Sequence, residues 1–142
     1  MPAHYASAAD IVALYGEAQL VLVSDKNKDR RPDPEVVEAG LQAADDTINT
    51  FLSAQYPIPL PYVSGSMRRI AVDIALYTMA IDRTVRTEEM RVRYTDAIAL
   101  LKMMAKGDIG IGAPPIDTDG DGVPDTDPNR KRKGRIFDIS RG

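Results

Sequence analysis

The segment DTDGDGVPDTD, residues 117–127, sets carboxylates at alternate positions along eleven residues. Carboxylates so spaced can converge on one hard cation. Oxygen ligands suit calcium, Gly122 permits the tight turn that brings them round, and the Val123 carbonyl can add a further oxygen. The candidate metal ligands are therefore Asp117, Asp119, Asp121, Val123, Asp125 and Asp127, and the candidate cofactor is calcium. Five carboxylates this close repel one another, so a positive group is required nearby. Calcium is one candidate. The basic run Arg130, Lys131, Arg132, Lys133 and Arg135 is the other, in which case the acidic stretch is a linker neutralised by its neighbour.

The basic run can also touch phosphate or an acidic protein face. No aromatic interrupts it until Phe137, so base stacking is not indicated. Ile136, Phe137 and Ile139 alternate with Asp138 and Ser140 in a period-two pattern suited to adding a strand to a partner's sheet. Earlier in the chain, Asp25, Asn27 and Asp29 alternate as a second, weaker cation pattern. Its sixth position is Arg30, where a calcium loop wants glycine, and a solvated turn is the plainer reading. For catalysis the sequence offers little. The one histidine, His4, lies near the terminus and is expected to be exposed, and no G-x-S-x-G, P-loop or H-E-x-x-H pattern occurs. The chain is expected not to be an enzyme.

These segments are attached to a body of ordinary globular composition, 44% hydrophobic and 27% charged over 142 residues, with a net charge of −3. The mild acidity argues against a general nucleic-acid binder. With no cysteine there is no disulfide framework, thiolate metal site or cysteine nucleophile. The opening MPAHYASAAD lacks the charged and apolar regions of a signal peptide, and no stretch reaches the roughly 18 apolar residues of a membrane span. A soluble chain with no membrane partner is expected.

The elements that must carry these groups read as helices. Ser7 and Asp10 form a capping-box variant before a short helix over 8–15, with Gly16 at its end. Residues 17–23 fit a second short helix or a strand, and the helical company favours the helix. Asp33 as N-cap and Pro34 at the first position open a long helix to Tyr56. Its apolar stripe is Val37, Leu41, Ala44, Ile48 and Phe51, with Asp45, Asp46 and Asn49 facing solvent. Pro57, Pro59 and Pro61 cannot continue a helix, so Tyr56, Ile58 and Leu60 run as an extended strap that lies on the domain or is offered to a partner. Ser64 or Ser66 caps the next helix, to about Asp82, with a stripe of Met67, Ile70 or Ala71, Ile74, Tyr77 and Ile81. Arg69 and Asp73 are spaced to pair. Arg68 and Arg69 oppose the dipole at this helix start, which points to an external partner unless that pair accounts for them. Thr87 opens the last helix, whose stripe is Met90, Tyr94, Ala97, Leu101 and Met104, and Gly107 stops it. Met67, Met79, Met90, Met103 and Met104 read as core filler. The fold class is an all-α small helical bundle, three long helices plus one or two short N-terminal ones, with an extended C-terminal arm. The expected organisation is a helical domain over 1–107, a Gly/Pro linker over 108–116 and the charged arm over 117–142.

Two resemblances add to this reading. The acidic segment resembles the calcium loops of thrombospondin type 3 repeats and dockerins, over about eleven residues. It departs from an EF-hand loop in having Pro128 where a bidentate glutamate belongs. On a larger scale, YASAADIVALYGEAQLVLVSD, EVVEAGLQAADDTINTFLSAQYPIPL, MRRIAVDIALYTM and RVRYTDAIALLKMMAKGDIGIG occur in this order. Over residues 3–112 they resemble the Mu-like head–tail connector, or neck, proteins of tailed phages. The resemblance implies a non-enzymatic helical adaptor that assembles as a homo-oligomeric ring at the virion neck, in the host cytoplasm. Its partners would be the portal protein and a tail-completion or terminator protein, with DNA passing through the ring non-specifically. RIFDIS then looks like a short family terminus displaced by the acidic insert. The candidate partner-binding residues are Tyr56, Pro57, Ile58, Pro59, Leu60 and Arg68, together with the basic run and Ile136, Phe137 and Ile139.

Overall fold

The computed structural model describes residues 4–111. The acidic segment 117–127, the basic run 130–135 and the apolar residues 136–139 lie outside the described residues. Within them the chain forms α1 (Ala8–Tyr15), α2 (Glu17–Ser24), α3 (Pro34–Leu52), α4 (Gly65–Arg83) and α5 (Glu88–Lys106), and no strand.

Local chemistry sets the helix starts. The Ser7 hydroxyl accepts the Asp10 N–H while the Asp10 carboxylate accepts the Ser7 N–H, a complete capping box. Asp33, Ser64 and Thr87 each accept an N–H of the first turn that follows them. Gly16, at φ +93°, is the last cap of α1 and the first of α2, and this backbone region is why a glycine separates two eight-residue helices. Gly107 closes α5 in the left-handed region, with the Met103 and Met104 carbonyls accepting from Asp108 and Gly107.

α3 ends at Leu52, four residues before the expected Tyr56. The Gln55 and Tyr56 N–H groups both turn back to the Leu52 carbonyl. Proline explains the retreat: a helical Pro57 would clash with the carbonyl four residues earlier, at Ser53, so the last turn is already lost there. The apolar track correspondingly finishes on Leu52, fully buried, while Phe51 is half-buried.

α4 is the central element and packs against each of the other four helices. It buries Met67, Ile70, Ala71, Val72, Ile74, Ala75, Leu76, Met79 and Ala80, a sector too wide for a one-sided amphipathic helix. α3 approaches it at Gly40, where an added Cβ would lie 2.7 Å from the Met79 Cγ and 3.3 Å from the Ala75 carbonyl oxygen. Two residues expected inside are exposed. Ile81 is 49% exposed, because the buried track leaves α4 through Met79 and Ala80. Met103 is 37% exposed, whereas Met67, Met79, Met90 and Met104 are buried.

Polar contacts pin the small helices to the large ones. The Tyr15 hydroxyl donates to Asp73 Oδ1 at 2.5 Å, and the Arg93 guanidinium lies 4.1 Å over the Tyr15 ring. Tyr15, rather than the expected Arg69, is the hydrogen-bonding partner of Asp73. Burial raises the Asp73 pKa even though the Tyr15 hydrogen bond and the Arg93 charge oppose the rise. Tyr77 of α4 and Tyr94 of α5 stack with ring centroids 4.3 Å apart.

The side chains of the polar loop between α2 and α3 close it locally, and Arg83 of α4 donates to the Asp25 carbonyl at 3.2 Å. Asp25 accepts the N–H groups of Asp29 (3.1 Å) and Arg30 (2.9 Å), and Asp29 accepts that of Arg31. Desolvation pulls the Asp25 pKa up, but these N–H groups and that of Lys28 outweigh it and hold it below the usual carboxylate value. Asp25 and Asp29 therefore serve the turn's own backbone. Among the described residues no group of three acidic or histidine side chains is placed to hold a metal ion.

Candidate assembly surface

The strap between α3 and α4 is the most specialised surface of the described chain. Its three prolines, Pro57, Pro59 and Pro61, are exposed, and the Ile58–Pro59 peptide bond is cis. Ile58 and Tyr62 stand 43% and 48% exposed. Leu60, between them, is 7% exposed and part of the core. The sequence reading that placed Leu60 with the partner-binding residues is corrected accordingly: it anchors the strap and leaves Ile58 and Tyr62 to be presented. Tyr56 is half-buried against the core. A solvent-facing run of apolar and proline side chains around one buried anchor is stiff, and stiff segments lose little entropy on docking.

What holds the strap comes from the far end of the sequence. Tyr5, 5% exposed, places its hydroxyl where it accepts the Leu60 N–H at 2.9 Å and donates to Asn49 Oδ1 at 2.5 Å. The Tyr5 N–H donates to Asp45 Oδ1 at 3.0 Å. Beside it His4 bridges two carboxylates of α3, Nδ1 to Asp45 at 2.5 Å and Nε2 to Glu38 at 2.6 Å. His4 is thus not an exposed terminal residue, since its side chain is only 14% exposed. Asp45 and Asn49, expected to face solvent, are the docking groups for residues 4–5, while Asp46 does face solvent. The hydrogen bond to Asp45 raises the His4 pKa above its ordinary value, helped by Glu38 and opposed by burial. Burial likewise raises the Tyr5 phenol. The signal for this clamp is legible afterwards: Glu38, Asp45 and Asn49 fall seven and four residues apart on one track flanking the apolar stripe. Nothing in that track names the partner.

The same end of the helical unit gathers three further features. Arg68 reaches Asp10 at 3.7 Å and the Val63 carbonyl at 3.5 Å, contacts long enough to leave its head group largely available. The Ser64 hydroxyl donates to the Ile111 carbonyl at 3.1 Å, and Ile109 and Ile111 pack on the core. The packed chain therefore continues past Gly107 as far as Ile111, beside the end of the strap. Of the expected partner-binding residues, the structure brings Tyr56, Pro57, Ile58, Pro59, Leu60 and Arg68 to this region. No helix among the described residues is long and apolar enough to cross a membrane.

The sequence that folds in this way is similar to those of phage proteins. The chain is 29% identical over 105 residues to gene product J of Escherichia phage Mu, which covers 73% of both chains. It is 33% identical over 76 residues to the Mu-like prophage FluMu protein gp36 of Haemophilus influenzae, covering 54% of this chain and 52% of that one. The profile of the family described as Bacteriophage Mu, Gp36 matches residues 5–128, from the tyrosine of the clamp to the end of the acidic segment. The chain belongs to the bacteriophage Mu Gp36 family.

Proposed function

We propose that this protein is a structural component of a phage virion, a head–tail connector that assembles as a ring between portal and tail at the neck. The observation that carries the reading is the strap: a proline-stiffened segment with Ile58 and Tyr62 exposed, held in place by Tyr5 and Leu60. A monomer has no need to present such a surface, whereas an adaptor must present a rigid one to its neighbours. Family membership supports a phage role. The reading is non-catalytic, and DNA would pass through the ring without sequence-specific contact.

Purified protein should form a discrete higher oligomer by light scattering and bind portal or tail-completion protein. A sample that stays monomeric and binds neither overturns the reading. The double variant Pro57→Gly/Pro59→Gly should weaken assembly more than it lowers the melting temperature; the opposite order would make the strap a purely structural turn.

A second role rests on the alternating carboxylates of residues 117–127, which we propose bind calcium and order the arm that bears the basic run. Calorimetry with calcium on wild type and on Asp119→Ala/Asp121→Ala tests it. Heat from the wild type alone supports the site, and heat from neither ends it.

A further inference from the structure

α5 carries apolar residues on two sides. The inward face is Met90, Ala97, Leu101 and Met104, all buried. On the opposite side Val92, Ala99 and Met103 recur at steps of seven and four, with Leu100 beside them, and all four are exposed; the exposed carboxylate of Asp96 interrupts this stripe between Val92 and Ala99. A helix packed on one side alone should carry polar residues there. Isolated exposed apolar residues need no explanation, but a stripe of them on one helix marks a contact. Lys102 and Lys106 flank the C-terminal half of this stripe, and neither has a carboxylate partner among the described residues.

α3 carries the complementary features. It has four carboxylates, Glu35, Glu38, Asp45 and Asp46, and no lysine or arginine. Asp45 is occupied by His4 and Tyr5 and Glu38 by His4, while Glu35 and Asp46 remain as exposed carboxylates. Between them Pro34, Glu35, Glu38, Ala39 and Gln42 line a shallow, open depression with a mainly apolar floor. Ala39 leaves room where a longer side chain would fill the groove.

We infer that the α3 depression receives the outward face of α5 from a second copy of this chain. Leu100 and Met103 of one copy enter the depression over Ala39 of the next, and Lys102 and Lys106 meet Glu35 and Asp46. The occupant is a second copy because the charge and the apolar stripe that the groove requires are both present on this chain's own surface. The two patches are different, so the contact is head-to-tail and leaves a joined pair with one free donor face and one free acceptor face. Such heterologous contacts propagate and close into rings when the rotation permits. The inference rests on the ring reading above and supplies its subunit contact.

The absence of cysteine gives a clean test. Ala39→Cys/Met103→Cys in one full-length chain should yield a ladder of covalent multimers on oxidation, while each single variant stays uncoupled. Dimers from Met103→Cys alone would mean that α5 pairs with α5, and would overturn the inference. No ladder from a double variant whose wild type is oligomeric places the contact elsewhere and leaves the ring reading standing. No ladder together with a monomeric wild type removes both. A second measurement uses charge. Lys102→Glu/Lys106→Glu and Glu35→Lys/Asp46→Lys should each associate at least tenfold more weakly than wild type, yet pair when mixed, because the mixture restores one native junction. Unchanged association in both, or loss that mixing does not restore, overturns the proposal. Circular dichroism of each surface variant separates lost association from lost fold.

Discussion

The two longest irregular segments of the described chain, the loop between α2 and α3 and the strap between α3 and α4, are both proline-bearing and largely exposed. They are held in opposite ways. In the first, Asp25 and Asp29 accept N–H groups no more than five residues away, so the loop's own side chains close it, with one added tie from Arg83 of α4 to the Asp25 carbonyl at 3.2 Å. In the second, the Leu60 N–H is satisfied by Tyr5, 55 residues earlier, and the Leu60 side chain is in the core. A self-closed turn can be lost with only local consequences. A segment tied to the core and to the start of the chain is coupled to global stability, and the surface it presents is as rigid as the domain.

Leu60→Ala tests that coupling most severely. Removing a buried leucine side chain should cost about 2–5 kcal/mol of unfolding free energy in urea titration. A cost below about 1 kcal/mol would show that the strap end is not core. Tyr5→Phe keeps the ring and removes the hydroxyl, leaving the Leu60 N–H buried without its acceptor. A loss of about 1–3 kcal/mol is expected, with faster amide exchange at Leu60.

The His4 bridge should make the strap end pH-sensitive, with Asp45 and Glu38 of α3 as the charged groups facing it. Its folded pKa is raised, so the folded state binds the proton more tightly than the unfolded state. The contribution is therefore complete below the unfolded value of about 6.5 and fades as pH climbs through the raised folded value. Wild type should lose urea resistance across that window, and His4→Gln should flatten the profile. A wild-type profile already flat there would remove His4 from the clamp's energetics. The smallest effect is expected on the other side of the comparison. Asp25→Ala should leave the melting temperature unchanged and speed amide exchange only at neighbours such as Asp29 and Arg30. A global loss of stability from that variant would erase the distinction between the two segments.

The same distinction separates what was legible from what was not. The caps at Ser7, Asp33 and Thr87, the stop at Gly107 and the inward stripes of α3 and α5 could be read directly, because each depends on residues within a turn or two. Ser64 and Ser66 are equally good caps by sequence, and the Ser64 hydroxyl is the one that accepts the Met67 N–H. His4, Asp45 and Asn49 were misjudged for one reason: a polar residue beside an apolar stripe looks solvated until something docks on it. Ile81 faces solvent against expectation because helical spacing fixes a face only to within about one residue per turn.

Determined by the sequence alone were an all-α chain, the order and starts of its helices, and a break at the prolines. These follow from capping, periodicity and ring sterics, which act over a few residues. Tertiary structure alone decided that α4 is central, that Leu60 is an anchor while Ile58 and Tyr62 are presented, and that the first residues of the chain lock the strap. Those outcomes depend on which distant surfaces meet, because an unpaired donor or an exposed leucine is satisfied by whatever packing brings within reach.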